Sequence, residues 1–162
     1  MKNNFVELPV ATMDGEFIAR YSEKGLAELD FPKQSNRRRR GNESLISAAA
    51  GDLVRDSSRR LLQIKIRRWH STTTKALKAI LAGREPKEFP PLDMTGTEFQ
   101  KSVWRAMSKI SLGKTKSYGE IASAIGRPKA VRAVGGACGA NPVPVLVPCH
   151  RVLAANNKLG GF

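Results

Sequence analysis

Three prolines within seven residues constrain this chain more than any other feature. They punctuate Asn141-Pro142-Val143-Pro144, the apolar run Val145-Leu146-Val147, and then Pro148. Each proline fixes φ near −65° and removes a backbone donor, so the stretch can be neither a helix interior nor a central strand. The apolar run predicts a buried, extended, rigid segment that leads directly to Cys149-His150-Arg151-Val152. Cysteine attacks as its thiolate, a form that neighbouring cations favour. A thiol at the end of a rigid segment, beside an imidazole and a guanidinium, is a candidate nucleophile. A lone Cys-His pair is more commonly a small buried hydrophobe next to a satisfied imidazole, and on these residues alone both readings stay open.

Upstream, local signals predict helices. Thr95 with Glu98 and Ser117 with Glu120 fit the capping box, in which each side chain satisfies the other residue's free backbone N–H. Helices are therefore expected to begin near Gly96 and Tyr118. Phe99, Val103, Ala106, Met107 and Ile110 form the apolar stripe of the first; Tyr118, Ile121, Ala122 and Ile125 form that of the second. Gly126-Arg127-Pro128 stops the second helix, and a third presents Val131, Val134, Gly135 and Cys138 on one face. Two short helices across a glycine-containing turn outline a helix-turn-helix. Lys129 and Arg132 fall off the apolar face and point outward, and Ala130, Ala133, Gly135, Gly136 and Ala137 make the third helix slim enough for a narrow groove. An ordinary packed helical hairpin fits the same pattern equally well.

The N-terminal half reads differently. Residues 5–10, 17–21 and 26–31 alternate like strands, with turns at Asp14-Gly15 and Lys24-Gly25, and predict a three-stranded meander closed by Pro32. Residues 33–68 turn polar and basic, with Arg37-Arg38-Arg39-Arg40, Arg59-Arg60 and Arg67-Arg68, a pattern usual for a solvated loop or helix face, with a dedicated DNA contact as the alternative. Residues 72–82 read as a helix ended by Gly83. A proline-rich linker over 85–93 follows. The fold class expected is α+β: an N-terminal domain of small sheet plus helix over 1–91, and a C-terminal helical, winged-helix-like domain over 92–162.

Composition narrows the function. Lys and Arg total 28 against 14 Asp and Glu, for a net charge of +14, so a polyanion is the first partner to consider. At 41% hydrophobic residues, the 162-residue chain can bury a core, and it holds no run long enough to cross a membrane. Two cysteines without CxxC spacing or a Cys/His cluster predict neither a disulfide framework nor a metal site, and point to a reducing, cytoplasmic setting, or a nuclear one in a eukaryote.

The order and spacing of Thr97-Glu98-Phe99-Gln100, Val103-Trp104, Ser117-Tyr118-Gly119-Glu120-Ile121-Ala122, Pro128 to Gly135, Asn141-Pro142 and Pro148-Cys149-His150-Arg151-Val152 closely resemble the alkylguanine-DNA alkyltransferases. The likeness covers about residues 92–162; the first 91 residues match only in outline. The resemblance implies repair of guanine alkylated at oxygen-6 in double-stranded DNA, by irreversible transfer of the alkyl group to Cys149. Such a protein acts once, as a monomer, without a cofactor. In that scheme His150 acts through water as the base. Tyr118 helps turn the nucleotide out and donates a proton to the departing guanine. Arg132 fills the vacated space, with Lys129, Ala133 and Arg151 also facing DNA. Asn141 braces the active-site turn, and carbonyls near Cys149 and Val152 receive the guanine amine.

The chain stops at Phe162, within Gly160-Gly161-Phe162, where the resembled family continues with a serine-containing loop and a helix whose glutamate orients the histidine. The expectation is slow or undetectable transfer with DNA affinity retained. The alternative is an alkylguanine-binding relative or fragment with impaired transfer.

Overall fold

The computed structural model describes residues 5–32 and 57–154. The arginine run at 37–40, most of the basic stretch expected over 33–68, and Gly160-Gly161-Phe162 lie outside the described residues.

The fold is α+β. The expected meander is present as β1 (Val6–Thr12), β2 (Gly15–Tyr21) and β3 (Leu26–Asp30), antiparallel in the order β1-β2-β3. Alternation gives it two unlike faces: Phe17, Ala19 and Tyr21 are buried, while Arg20 on the open face meets Glu7, Glu28 and Asp30 at 2.7, 2.7 and 2.8 Å. Three carboxylates around one guanidinium join all three strands, although exposure keeps the energy of such pairs small.

The first helix is longer than the sequence reading allowed. α1 runs Ser57–Leu81 rather than over 72–82, so the last third of the basic stretch, from Ser57 to Arg68, is helical. Its buried side carries Ile66, Thr73, Ala76 and Leu77, with Leu62, Trp69 and Ile80 packed at the margin. Those positions recur at alternating steps of three and four, a helical period that the intervening cations obscure. Gly83 ends the helix as expected.

In the second half, α2 spans Glu98–Met107 and its capping box is Thr97 with Gln100, two residues later than the expected Thr95 with Glu98. The later start directs Val103, Trp104 and Met107 into the core; Trp104, absent from the expected stripe, is fully buried and donates its indole N–H to the Ala137 carbonyl at 2.8 Å. The box at Ser117 and Glu120 opens α3 (Tyr118–Ala124) as expected. Gly126, at φ 72°, then permits the bonds from Gly126 N to Ser123 O and from Arg127 N to Ala122 O that close a left-handed helix stop. α4 follows at Val131–Gly139 with Val134, Ala137 and Cys138 buried. Val131 was expected on that face, but at the first turn it is 42% exposed.

β3 joins the two halves. Its free edge receives the linker through Leu26 N to Pro91 O and Asp93 N to Leu26 O, both 2.8 Å, and farther along Leu29 N donates to Pro142 O at 2.9 Å. An edge strand is thereby covered rather than left as a template for aggregation. Gly25 makes the approach possible: a Cβ there would lie against the Pro91 carbonyl oxygen and 2.7 Å from its carbon, at φ 157°. Gly25→Ala is expected to lower stability by about 2 kcal/mol or more, because only backbone movement relieves the overlap. Denaturant unfolding checks this; a loss below about 0.5 kcal/mol would mean that the linker seat yields freely.

Candidate active site

The segment before Cys149 is buried, as its apolar run predicted, but it is not extended. Leu146 N donates to Pro144 O at 2.9 Å, closing a γ-turn with Val145 at its centre, and Val145 has φ 71°. A β-branched residue at positive φ is strained, and this form of γ-turn is the rarer one. Val147 N donates to Val143 O at 3.0 Å, which folds the apolar run back on itself. A second γ-turn of the common hand follows: Pro148 has φ −80° and ψ 71°, and Cys149 N donates to Val147 O at 2.9 Å. Proline tolerates this because the bond uses donors on its neighbours.

Asn141 holds the fold-back. Its Nδ2 donates to Val147 O at 2.8 Å, and its Oδ1 accepts from Val143 N at 3.1 Å. The Val147 carbonyl therefore takes two donors, the Asn141 amide and the Cys149 backbone N–H. Asn141 lies just beyond α4, so one side chain couples the end of that helix to the cysteine.

Residues Cys149–Arg151 form a 3₁₀ turn, closed by Val152 N donating to Cys149 O. From it the chain enters β5 (Val152–Leu153), which pairs in parallel with β4 (Lys116–Ser117) through Lys116 with Val152 and Ser117 with Leu153. This short ladder brings Tyr118, first residue of α3, to the cysteine turn across a sequence separation of about thirty residues. The Tyr118 phenol is pushed above its ordinary pKa by burial first, and then by the proximity of Cys138 and Cys149, so it stays protonated at neutral pH.

Arg151 faces another way. Its guanidinium donates to the Ile110 carbonyl at 2.9 Å, tying the turn to the chain just beyond α2. His150 is exposed, yet partial desolvation first and the Arg151 charge second hold its imidazole below the usual value, so the neutral form, able to accept a proton, persists to lower pH. Cys138 is 2% exposed with its sulfur 3.3 Å from that of Met107, and burial pushes its thiol up to about 11.

Among the described residues, Cys149, Cys138, Asn141, Pro142 and Pro144 face the end of β3 across a cavity of about 450 Å³. That lies within the range of small-ligand sites. No group of three or more His, Cys, Asp or Glu suited to a metal occurs among the described residues.

Lys129, Arg132 and Ala133 are exposed on the helix-turn-helix. The turn rests on α2 through Arg127, whose guanidinium carbon sits 5.9 Å from the centre of the Phe99 ring. Positions where a Cβ would project from Gly135, Gly136 and Gly139 meet nothing within 4 Å. The slimness of α4 is thus not demanded by packing within the described protein. Sequence reasoning missed the Val147 and Ile110 carbonyls and the strained Val145. Backbone acceptors carry no residue-type signal, and valine gives no hint of positive φ.

Comparison with known proteins bears on the whole arrangement. Residues 98–162 match the family model described as 6-O-methylguanine DNA methyltransferase, DNA binding domain. The chain is 54% identical over 90 residues to a methylated-DNA-protein-cysteine methyltransferase of Methanosarcina acetivorans, covering 55% of this chain and 57% of that one. It is 50% identical over 82 residues to an inducible methylated-DNA-protein-cysteine methyltransferase of Bacillus subtilis, covering 51% and 46%. It thus spans about half the length of the curated relatives it matches. The fold resembles Mycobacterium tuberculosis O6-methylguanine methyltransferase at 32% identity and a TM-score of 0.68, over 98% of this chain and 84% of that one. A structure of the M. tuberculosis protein OGT in complex with DNA is similar at 33% identity and a TM-score of 0.67, covering 95% and 81%. In sequence, motif order and fold, the chain belongs to the O6-methylguanine-DNA methyltransferase family, whose members are also called methylated-DNA-protein-cysteine methyltransferases.

Proposed function

We propose that this protein repairs double-stranded DNA by moving the alkyl group from oxygen-6 of guanine onto the sulfur of Cys149. The Cys149 thiolate attacks the alkyl carbon, the carbon–oxygen bond breaks, and the electron pair leaves with the guanine, which takes up a proton. The thioether is stable, so each molecule acts once and the reaction calls for no cofactor. What carries this reading is the Cys149 turn, held by Asn141 through the Val147 carbonyl and set beside a protonated Tyr118 phenol.

The roles follow from chemistry. His150, kept neutral, accepts the thiol proton through water. Tyr118 retains a proton to give to the guanine. A base inside the stack is out of reach of a thiol, so the nucleotide must be turned out, at a cost of a few kcal/mol. Arg132, on a helix that brings no bulk with it, enters the duplex to stabilise the gap. Lys129 and Ala133 lie along the DNA, Arg151 braces the cysteine turn through the Ile110 carbonyl rather than reaching the DNA, and carbonyls at Cys149 and Val152 receive the guanine amine. The division of labour assigns alkyl acceptance and DNA binding to residues 92–162 and leaves 1–91 as an N-terminal α/β domain. No helix among the described residues is long and apolar enough to cross a membrane; we place the protein with its DNA, in a cytoplasm or nucleus whose reducing conditions suit two free thiols.

Peptide mapping after reaction with alkylated duplex is expected to find the added mass on Cys149, with Cys149→Ser abolishing transfer and leaving DNA binding intact. Mass on Cys138 would overturn the assignment, and no mass on either thiol would favour a lesion-binding protein that transfers nothing. Arg132→Ala is expected to slow reaction with alkylated duplex at least about tenfold, equivalent to about 1.4 kcal/mol of lost stabilisation. Free O6-alkylguanine incurs no unstacking cost and should react within about twofold of the parent rate. Equal losses on both substrates would contradict an intercalating role.

The His150 shift sets the pH dependence. Because its pKa is lowered in the folded protein, the base remains deprotonated as pH falls past the ordinary imidazole value of about 6.5. The transfer rate should therefore hold through that pH and decline only below it. Single-turnover rates from about pH 5 to 8 test this; a decline centred above about 6.5 would exclude His150 with its lowered pKa as the base.

A further inference from the structure

The outward side of α1 has no part in the chemistry above. Over its 25 residues the helix carries seven Lys or Arg and no Asp or Glu. At 3.6 residues per turn, Arg60, Arg67, Arg68, Lys75 and Lys78 fall within roughly 100° of one another, opposite the buried Ile66, Thr73, Ala76 and Leu77. All five are exposed. From first to last the row spans about 27 Å, at 1.5 Å per residue. A row of one sign repels itself, so its charge arrangement is disfavoured unless a polyanion lies along it.

We propose that this face of α1 binds the phosphate backbone of double-stranded DNA, as a second contact beyond the helix-turn-helix. Charge complementarity carries the proposal: closely spaced phosphates along a duplex suit a straight row of cations without sequence readout. An anionic membrane fits less well. A helix that lies in a membrane inserts its apolar side, and α1 has committed that side to the protein core. Outward it offers only Leu61 at 59% and Ile64 at 58% exposure as large apolar groups before Leu81, both in its first two turns. These cannot form a continuous apolar stripe.

The test uses undamaged duplex, so its outcome is independent of whether Cys149 accepts an alkyl group. The full chain is compared with a variant carrying Arg60→Gln, Arg67→Gln, Arg68→Gln, Lys75→Gln and Lys78→Gln, since glutamine keeps helix propensity near that of the residues replaced. Binding of a labelled duplex is followed by anisotropy between about 50 and 200 mM salt. Each phosphate that the variant no longer neutralises should flatten the slope of log K against log salt by about 0.9, so three or more such phosphates flatten it by about 2.7 or more. Affinity at the lowest salt should fall at least tenfold, with the melting temperature retained. Arg67→Lys with Arg68→Lys should leave the slope as in the parent. Should the fivefold variant not fold, Lys75→Gln with Lys78→Gln near the helix end should still flatten the slope by up to about 1.8. An unchanged slope in a folded variant overturns the proposal. So does weaker binding confined to phosphatidylserine vesicles while duplex binding stays at the parent level, which would assign the face to membranes.

Discussion

The Val147 carbonyl is the acceptor on which the geometry around Cys149 depends. It receives the Asn141 amide at 2.8 Å and the Cys149 backbone N–H at 2.9 Å. Three prolines leave this stretch too few donors to build a helix or ladder, so its carbonyls must be satisfied by turns and a side chain. Asn141 satisfies one carbonyl with its amide N–H, and its oxygen accepts from the Val143 N–H as well. Were Asn141 to point elsewhere, the Val147 carbonyl would keep only the Cys149 N–H and the buried Val143 N–H would lose its acceptor, and a buried group left unmatched costs about 1–3 kcal/mol. The other attachments act on a turn already shaped: Arg151 to Ile110, Ser117 to Leu153, and Pro142 to Leu29.

Strain at Val145 shows which effect prevails. A β-branched residue at φ 71° costs on the order of 1–3 kcal/mol. Val143, Val145, Leu146 and Val147 are all buried, and each such side chain contributes about 1.5–3 kcal/mol. Burial of four apolar groups outweighs one strained dihedral, so the compact knot forms. An extended course would relieve Val145 but separate Val147 O from Asn141. The cysteine is therefore held by a balance between hydrophobic burial and backbone strain rather than by regular secondary structure.

Features that arise from neighbours in sequence were legible. The meander, the Ser117–Glu120 box, the helix stops at Gly83 and Gly126, and the buried character of Cys138 all follow from contacts a few residues apart. Where two local solutions competed, the core decided. Thr95 and Thr97 both fit a cap, but only the later start accompanies burial of Trp104 with its N–H on Ala137 O. The early turns of α1 escaped notice because cations dominate them, although Leu62, Ile66, Trp69 and Thr73 keep a helical period beneath the charge. At the site, residue types made Cys149 and His150 a candidate pair but left a small buried hydrophobe beside a satisfied imidazole open as well. They could not show that Arg151 would turn to Ile110, or that a two-residue parallel ladder would bring Tyr118 alongside, because both depend on pairings across about thirty to forty residues.

The glycines of α4 extend the same reasoning outward. Glycine in a helix interior costs about 1 kcal/mol relative to alanine, and Gly135, Gly136 and Gly139 all fall within nine residues. If the fold required them, a Cβ at those positions would meet a neighbour, as it would at Gly96, where Trp104 lies 2.6 Å away. Instead nothing among the described residues lies within 4 Å of those positions. A helix that gives up stability for slimness its described neighbours do not require is suited to close approach from outside. Arg132 and Ala133 are exposed on the same helix, and Lys129 is exposed in the turn before it. Cations supply long-range attraction without sequence preference, and absent side chains allow close approach. Together they describe a cationic surface without bulk, which is what the proposed entry into DNA requires.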